Sequence, residues 1–307
     1  MADMSLSEYQ EFVKNSRNGY FESPYDLVYR IFCEQGFDSK TPVYFAQNAS
    51  CIVETLRNGC WESYVPIEKG FISKMLTSLI DDDAVNGLNA KEAIIWFAET
   101  YPDHIYQLSL SNTQSRRSRA GKEFEAIIEL ILMGAGIAMD TQGNIGKRMF
   151  VEKGLGKLVD VVSPGVVEYI VDKNDVVLIS AKTTLRERWQ EVPEEMGRTG
   201  AKEMFLATLD ENISDEVLNT LYESNIRVTT TKAIKNANYP NNKRVLDFEK
   251  LVDICLQSAK TWESYDYTVA ESDQIRRAIE VQIEKHQNHQ FVKDRYIDRL
   301  QRFLDSK

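Results

Sequence analysis

The chain has 307 residues, 43% hydrophobic and 27% charged, with a formal net charge of −10. That length serves one large domain, or a catalytic domain with a second lobe, and the composition is that of a soluble globular protein. No run of about 18 apolar residues occurs, and Met1-Ala2-Asp3-Met4-Ser5 lacks the basic flank and apolar stretch of a signal peptide; membrane and secreted classes drop out and a cytoplasmic location is expected.

Cys33, Cys51, Cys60 and Cys255 form no CxxC pair and have no histidine at zinc spacing, which predicts buried thiols in a reduced compartment. The acidic charge is uneven. Residues 1–110 hold 8 Lys and Arg against 16 Asp and Glu, whereas residues 111–195 hold 12 against 13. The densest basic runs lie in the second segment: Arg116, Arg117, Arg119 and Lys122, then Lys147, Arg148, Lys153 and Lys157. A polyanionic partner stays open if these cations line one face; the alternative is a solvated surface of mixed charge.

In chain order, the first third reads as short helices, with apolar periodicity over Tyr25 to Phe32 and over Ala49 to Leu56, the latter stopping at Asn58-Gly59. Asp81-Asp82-Asp83, Asn86-Gly87 and Asn89 mark a surface turn before a helix over Lys91 to Tyr101. The polar segment Tyr106 to Arg119 is the expected boundary between lobes. Ser118 is the expected cap of a helix bearing Phe124, Ile127, Ile128, Ile131 and Leu132, ended by Gly134 and Gly136.

Leu158 to Val162, Val166 to Val171 and Val176 to Ala181 then read as consecutive antiparallel strands. A helical stretch over Thr184 to Met196, a strand at Met204 to Leu209, a helix from Asp215 to Ser224 behind Ser214 and a strand at Arg227 to Thr230 follow. Val245 to Leu256 and Ser272 to Leu304 read as helical. The predicted organisation is a helical N-terminal lobe over 1–110 and an α/β domain with C-terminal helices over 111–307.

Two charges stand out against their surroundings. Asp160 lies in Leu158-Val159-Asp160-Val161-Val162, and Lys182 ends Val176-Val177-Leu178-Ile179-Ser180-Ala181. A charge in a half-buried strand costs several kcal/mol unless it is paired or binds a metal. The chemistry that suits them, with Glu195 and with Glu125 on the preceding helix, is metal-dependent phosphodiester hydrolysis. Carboxylates would hold Mg²⁺ beside the phosphate while the lysine lowers the pKa of the attacking water. The plainer alternative is a buried Asp160–Lys182 ion pair.

Helix, an acid on one strand, a lysine on a later one, then helix and strand resembles the PD-(D/E)XK nuclease core, a mixed central sheet flanked by helices. Ser180 stands two before Lys182, where an acid is usual. In the SsoII-type branch of type II restriction endonucleases, which is related to EcoRII and the CCGG cutters, a glutamate on the following helix replaces it; Glu195 matches that position, with Glu194 its rival by spacing. Ser180-Ala181-Lys182-Thr183-Thr184-Leu185-Arg186-Glu187-Arg188-Trp189 is similar to the SsoII-type signature, and the resemblance extends over essentially the whole chain.

The resemblance implies a homodimer that cuts double-stranded DNA at CCNGG with Mg²⁺, leaving 5′-phosphates, with a cognate DNA methyltransferase as genetic partner. Asp160 and Glu195 would hold the metal, Lys182 would activate water, and Glu125 would support a second metal or the water network. Arg186, Glu187 and Arg188 would read G·C pairs in the major groove, arginine donating to guanine and glutamate accepting from cytosine. Gln114 would add minor-groove contacts, and Trp61 beside Arg57 would stack extruded central nucleotides. The rivals are a nuclease of this fold with another target, a non-catalytic DNA-binding protein and a soluble protein with a buried ion pair.

Literal acid-x-lysine matches at Asp26 with Asp38-Ser39-Lys40, and at Asp305-Ser306-Lys307, fail on context. His286 and His289 read as part of a solvated charged helix without a completed zinc set, and His104 stands alone.

Overall fold

The computed structural model describes residues 4–155, 157 and 159–305, except the side chains of Glu187 and Arg188. Met1, Ala2, Asp3, Leu158, Ser306 and Lys307, named above, therefore lie outside the described residues. The chain divides into two compact units, Met1–Leu27 with Asn58–Glu123, and Val28–Arg57 with Phe124–Lys307.

The first unit is helical. Its core gathers Tyr9, Val13, Phe71, Met75, Leu79, Tyr101 and Leu108. Helix Leu6–Arg17 opens with a reciprocal capping box between Ser5 and Glu8, and Asn89 with Glu92 does the same for helix Ala90–Thr100. The three aspartates acquire a local role, since Asp81 accepts the Asp83 N–H as cap of the short helix Asp82–Val85. Helix Pro42–Thr77 runs through Asn58-Gly59, the expected stop. Buried Ile52, Val53, Leu56, Cys60 and Tyr64 recur at helical spacing across that dipeptide, and packing overrides its turn propensity.

Tyr106 to Arg119 forms no boundary, and Ser118 caps nothing, because both lie inside helix Pro102–Gly134. The position expected to separate the lobes, near residue 110, falls within this same helix. Its polar residues suit a helix, since the Ser109 and Thr113 hydroxyls donate to the carbonyls of Ile105 and Ser109, each at 3.0 Å.

In the second unit, six strands among the described residues form one sheet in sequence order: β1 (Asp140–Thr141), β2 (Val161–Ser163), β3 (Val177–Lys182), β4 (Met204–Thr208), β5 (Ile226–Thr230) and β6 (Val245–Asp247). β1–β2 and β2–β3 are antiparallel; β3 through β6 are parallel. Helices Glu191–Thr199 and Asp215–Glu223 supply Val192, Met196, Leu218 and Leu221 to a core with Leu178, Met204, Leu206 and Val228.

Val166–Val171, expected as a strand, is a helix. A short apolar run does not by itself distinguish a strand from a buried helical turn. Here the Val166 N–H is taken by Asp140 Oδ2 at 2.9 Å rather than by a neighbouring strand. β1 and β6 escape the pattern because each has at most three residues; β6 takes the first three residues of the helix expected from Val245, which starts instead at Phe248 behind an Asp247 cap.

All four cysteines are free, but only Cys60 and Cys255 are buried; Cys33 is half-buried and Cys51 exposed, against the expectation of buried thiols. His286 also departs from the expected solvated helix: it is buried, with Nδ1 at 3.1 Å from His289 Nδ1 and Nε2 at 3.3 Å from Glu129 Oε1. No helix among the described residues is long and apolar enough to cross a membrane.

Candidate active site

The sheet topology explains why Asp160 and Lys182 meet. β2 runs antiparallel to β3, so the entrance to β2 lies beside the exit of β3; the Asp160 N–H donates to the Ile179 carbonyl at 2.9 Å. Asp160 Oδ2 accepts from the Ala181 N–H at 2.6 Å and from Lys182 Nζ at 3.2 Å. Lys182 Nζ also donates to the Ala181 carbonyl at 3.0 Å.

Asp160 is buried and Lys182 nearly so. Burial raises the Asp160 pKa above the ordinary aspartate value, opposed by Lys182, by the Ala181 N–H and by the charge of Lys147. Ser180, at the position lacking the usual acid, is fully buried and its hydroxyl has no hydrogen-bond partner among the described residues.

Helix periodicity separates the two rival glutamates. In Glu191–Thr199 the buried residues are Val192, Glu195, Met196 and Thr199, one face at i, i+3, i+4 and i+7. Glu195 is therefore carried inward with the core residues, and its Oε1 accepts the backbone N–H of Lys157, three residues before Asp160. Glu194 points to solvent and pairs with Arg198. Glu125 is half-buried on helix Pro102–Gly134.

Among the described residues no three His, Cys, Asp or Glu side chains cluster as a metal cage. The donors present are carboxylate oxygens, and a desolvated carboxylate such as Asp160 suits a hard cation that keeps most of its waters. Mg²⁺ is such a cation, commonly held through one or two carboxylates with water and phosphate completing its shell. The residues therefore fit magnesium and do not fit a closed zinc site.

Beyond β3 the chain turns at Leu185 into the 3₁₀ helix Arg186–Gln190. Arg186 is exposed and has φ of 43°, a left-handed conformation that an arginine adopts only when its surroundings enforce it. The expected Glu187 and Arg188 side chains lie outside the described residues. Sequence reading missed Asp210, whose Oδ2 accepts the Leu185 N–H at 2.9 Å. Its signal was available: an acid two residues beyond Thr208, which pairs with Lys182 in register.

Gln114 is exposed on helix Pro102–Gly134 and Trp61 is 47% exposed on helix Pro42–Thr77. Arg57 lies one turn before Trp61 on the same helix and is half-buried. The basic run near residue 116 is partly internal. Arg116 forks onto the buried carboxylate of Glu68, its Nε at 2.8 Å from both oxygens, and its guanidinium lies 5.7 Å from the Trp61 ring centroid. Arg119 donates to Glu123 Oε1 and to the Glu22 carbonyl, both at 2.7 Å. These two cations brace the helices; Arg117 and Lys122 remain exposed.

A family model described as EcoRII C terminal matches residues 92–252. The type II restriction enzyme SsoII of Shigella sonnei is 48% identical over 305 residues, covering 99% of this chain and 100% of that protein. Metal-depleted Ecl18kI in complex with uncleaved, modified DNA is similar at a TM-score of 0.93 and 47% identity, over 97% of this chain and 100% of that one. The restriction endonuclease PspGI in complex with substrate DNA is similar in fold alone, with a TM-score of 0.58 and 18% identity over 78% of this chain and 94% of that one.

The mixed sheet, with its acid and lysine where β2 and β3 meet, is thus the core of a type II restriction endonuclease, a site-specific DNA endonuclease. The chain belongs to the EcoRII C-terminal family and is related to SsoII along nearly its whole length.

Proposed function

We propose that the protein is a cytoplasmic homodimer that cuts duplex DNA at CCNGG, each copy hydrolysing one strand with Mg²⁺ and leaving a 5′-phosphate. The observation that carries this reading is the buried Asp160–Lys182 contact at the joint of β2 and β3. Asp160 and Glu195 would hold the cation, which would supply positive charge beside the scissile phosphate and polarise its oxygen. Lys182 Nζ, fixed by Asp160 and the Ala181 carbonyl, lies where an ammonium can orient a water and lower its pKa. Water attacks phosphorus, the bond to the 3′ oxygen breaks, and the phosphate stays on the 5′ end. Glu125 would order the water network or a second cation.

Recognition is assigned to Arg186, Glu187 and Arg188 in the major groove, arginine to guanine O6 and N7 and glutamate to cytosine N4. Gln114 would reach the minor groove. With one base pair between half-sites, the two copies keep a common grip if the central nucleotides leave the stack, and exposed Trp61, next to Arg57, offers the face on which they rest. The DNA complexes of Ecl18kI support a DNA substrate, and uncleaved DNA with metal-depleted Ecl18kI supports a metal requirement. An enzyme of this kind also requires a methyltransferase that protects the same site in the host.

The test is digestion of a sequenced plasmid with Mg²⁺, with Lys182→Ala as control, and mapping of every cut end. Cuts confined to CCNGG and lost in the variant support the proposal. Cuts elsewhere overturn the recognition assignment, and equal cutting by the variant overturns the role of Lys182.

A further inference from the structure

Helix Ala90–Thr100 is amphipathic in an unusual sense. Trp96 and Phe97 pack against the core of the helical unit, yet no residue of the helix is fully buried. Its opposite face presents Ile94 at 70% and Ile95 at 44% exposure, with Ala98 beside them. Solvated helix faces are normally polar, and adjacent exposed isoleucines mark a surface that meets another apolar one.

Glu92 in the first turn matches the helix's own electrostatics, but two other exposed charges run against it. The N-terminal end of a helix favours anions and the C-terminal end cations. Exposed Lys91 stands in the first turn and exposed Glu99 in the last, each at the unfavourable end. Neither side chain has an ion-pair partner among the described residues, and at eight residues apart they cannot reach each other. Their arrangement makes sense for an antiparallel pair of identical helices. Lys91, Ile95 and Glu99 form one i, i+4, i+8 row; a two-fold axis at Ile95 sets Ile95 on the partner's Ile95, and Lys91 opposite the partner's Glu99.

We propose that helix Ala90–Thr100 is a self-association surface, pairing antiparallel with the same helix of a second copy of the chain. The inference rests on the reading that two copies act together on one site, which one acid–lysine pair per chain requires if both strands are cut. Eleven residues span about 16 Å, and such a pair buries only part of the roughly 1,200–2,000 Å² of a stable interface. The contact alone is therefore weak and concentration-dependent, and DNA held by both copies strengthens it through effective concentration.

The test is analytical ultracentrifugation of the full chain over a concentration series, alone and with a CCNGG duplex in chelator, with circular dichroism confirming the helix content of each variant. Lys91→Glu and Glu99→Lys each improve the helix's own dipole match, so loss of association cannot be ascribed to loss of the helix. Each single variant sets like charges opposite each other and should weaken association about tenfold or more, as should Ile95→Asp. The double variant K91E/E99K should restore it. Association of the single variants and Ile95→Asp at wild-type strength, or failure of the double variant to restore, overturns the helix pairing. A wild-type chain that stays monomeric, with and without DNA, and still cuts both strands overturns the two-copy reading itself.

Discussion

The backbone N–H of Leu185 donates to Asp210 Oδ2 at 2.9 Å, which ties the exit of β3 to the exit of β4. Arg186 follows immediately in its left-handed conformation. Leu185 is buried, so losing the acceptor leaves its amide unsatisfied at about 1–3 kcal/mol and frees Arg186 to relax. Asp210→Ala should lower discrimination between CC/GG half-sites and altered ones by about 10- to 100-fold, with little effect on nonspecific affinity. Asp210→Asn, which keeps an oxygen acceptor, should retain most of it. Filter binding on matched and mismatched duplexes decides; an equal loss on all sequences would mean that Asp210 serves only general stability.

Lys182 is the charged partner of buried Asp160, so its removal has a structural cost apart from the catalytic one. Lys182→Met should destabilise the fold by roughly 3 kcal/mol, limited by protonation of Asp160. Asp160→Asn with Lys182→Met should recover most of that loss while remaining inactive. Urea titration measures it, and an unchanged midpoint for the single variant would place the pair in the weak class of surface ion pairs.

Glu168 gives a pH dependence. It is buried, its Oε1 accepts from Tyr267 at 2.9 Å, and its Oε2 has no hydrogen-bond partner among the described residues. Burial raises its pKa, aided by the charge of Asp140 and opposed by that of Arg299. The folded state therefore prefers the protonated form more than the unfolded state does. Its stabilising contribution is full below about pH 4.3 and is lost as pH rises through the raised folded value. Wild-type melting temperature should thus fall relative to Glu168→Gln as pH rises from 4.5 to 8, and a constant gap between the two would contradict the shift.

Gly134 closes helix Pro102–Gly134 against Phe45. A Cβ there would lie 2.4 Å from two ring carbons of Phe45, which is fully buried. Gly134→Ala should cost about 1–3 kcal/mol by overpacking, and Phe45→Leu in the same background should recover part of it. Thermal unfolding of wild type, both single variants and the double variant checks the coupling; additive effects would show that the two sites act independently.

Trp61 is exposed enough that losing its ring should change stability by less than about 1 kcal/mol. Trp61→Ala should nevertheless abolish the fluorescence rise of 2-aminopurine at the central position of a bound duplex, whereas Trp61→Phe should keep part of it. A rise that persists in the alanine variant would remove Trp61 from base stacking.

The sequence alone singled out the acid and the lysine that meet in the structure. Asp160 and Lys182 were legible because a charge inside an apolar strand is expensive, and that cost holds wherever the strand sits. The regular pattern of β3, β4 and β5, the caps at Asn89 and Ser214, and the family signature after Lys182 were equally local signals. Tertiary structure decided what local pattern leaves degenerate. Val166–Val171 coils because Asp140, distant in sequence, takes the first amide; Asn58-Gly59 stays helical because buried neighbours outweigh turn propensity; Tyr106 to Arg119 is helix rather than linker. Spacing could not choose between Glu194 and Glu195. The core contacts of Val192 and Met196 fix the helix face, and with it which glutamate turns inward, because a helical rotation of one residue moves a side chain by about 100° around the axis.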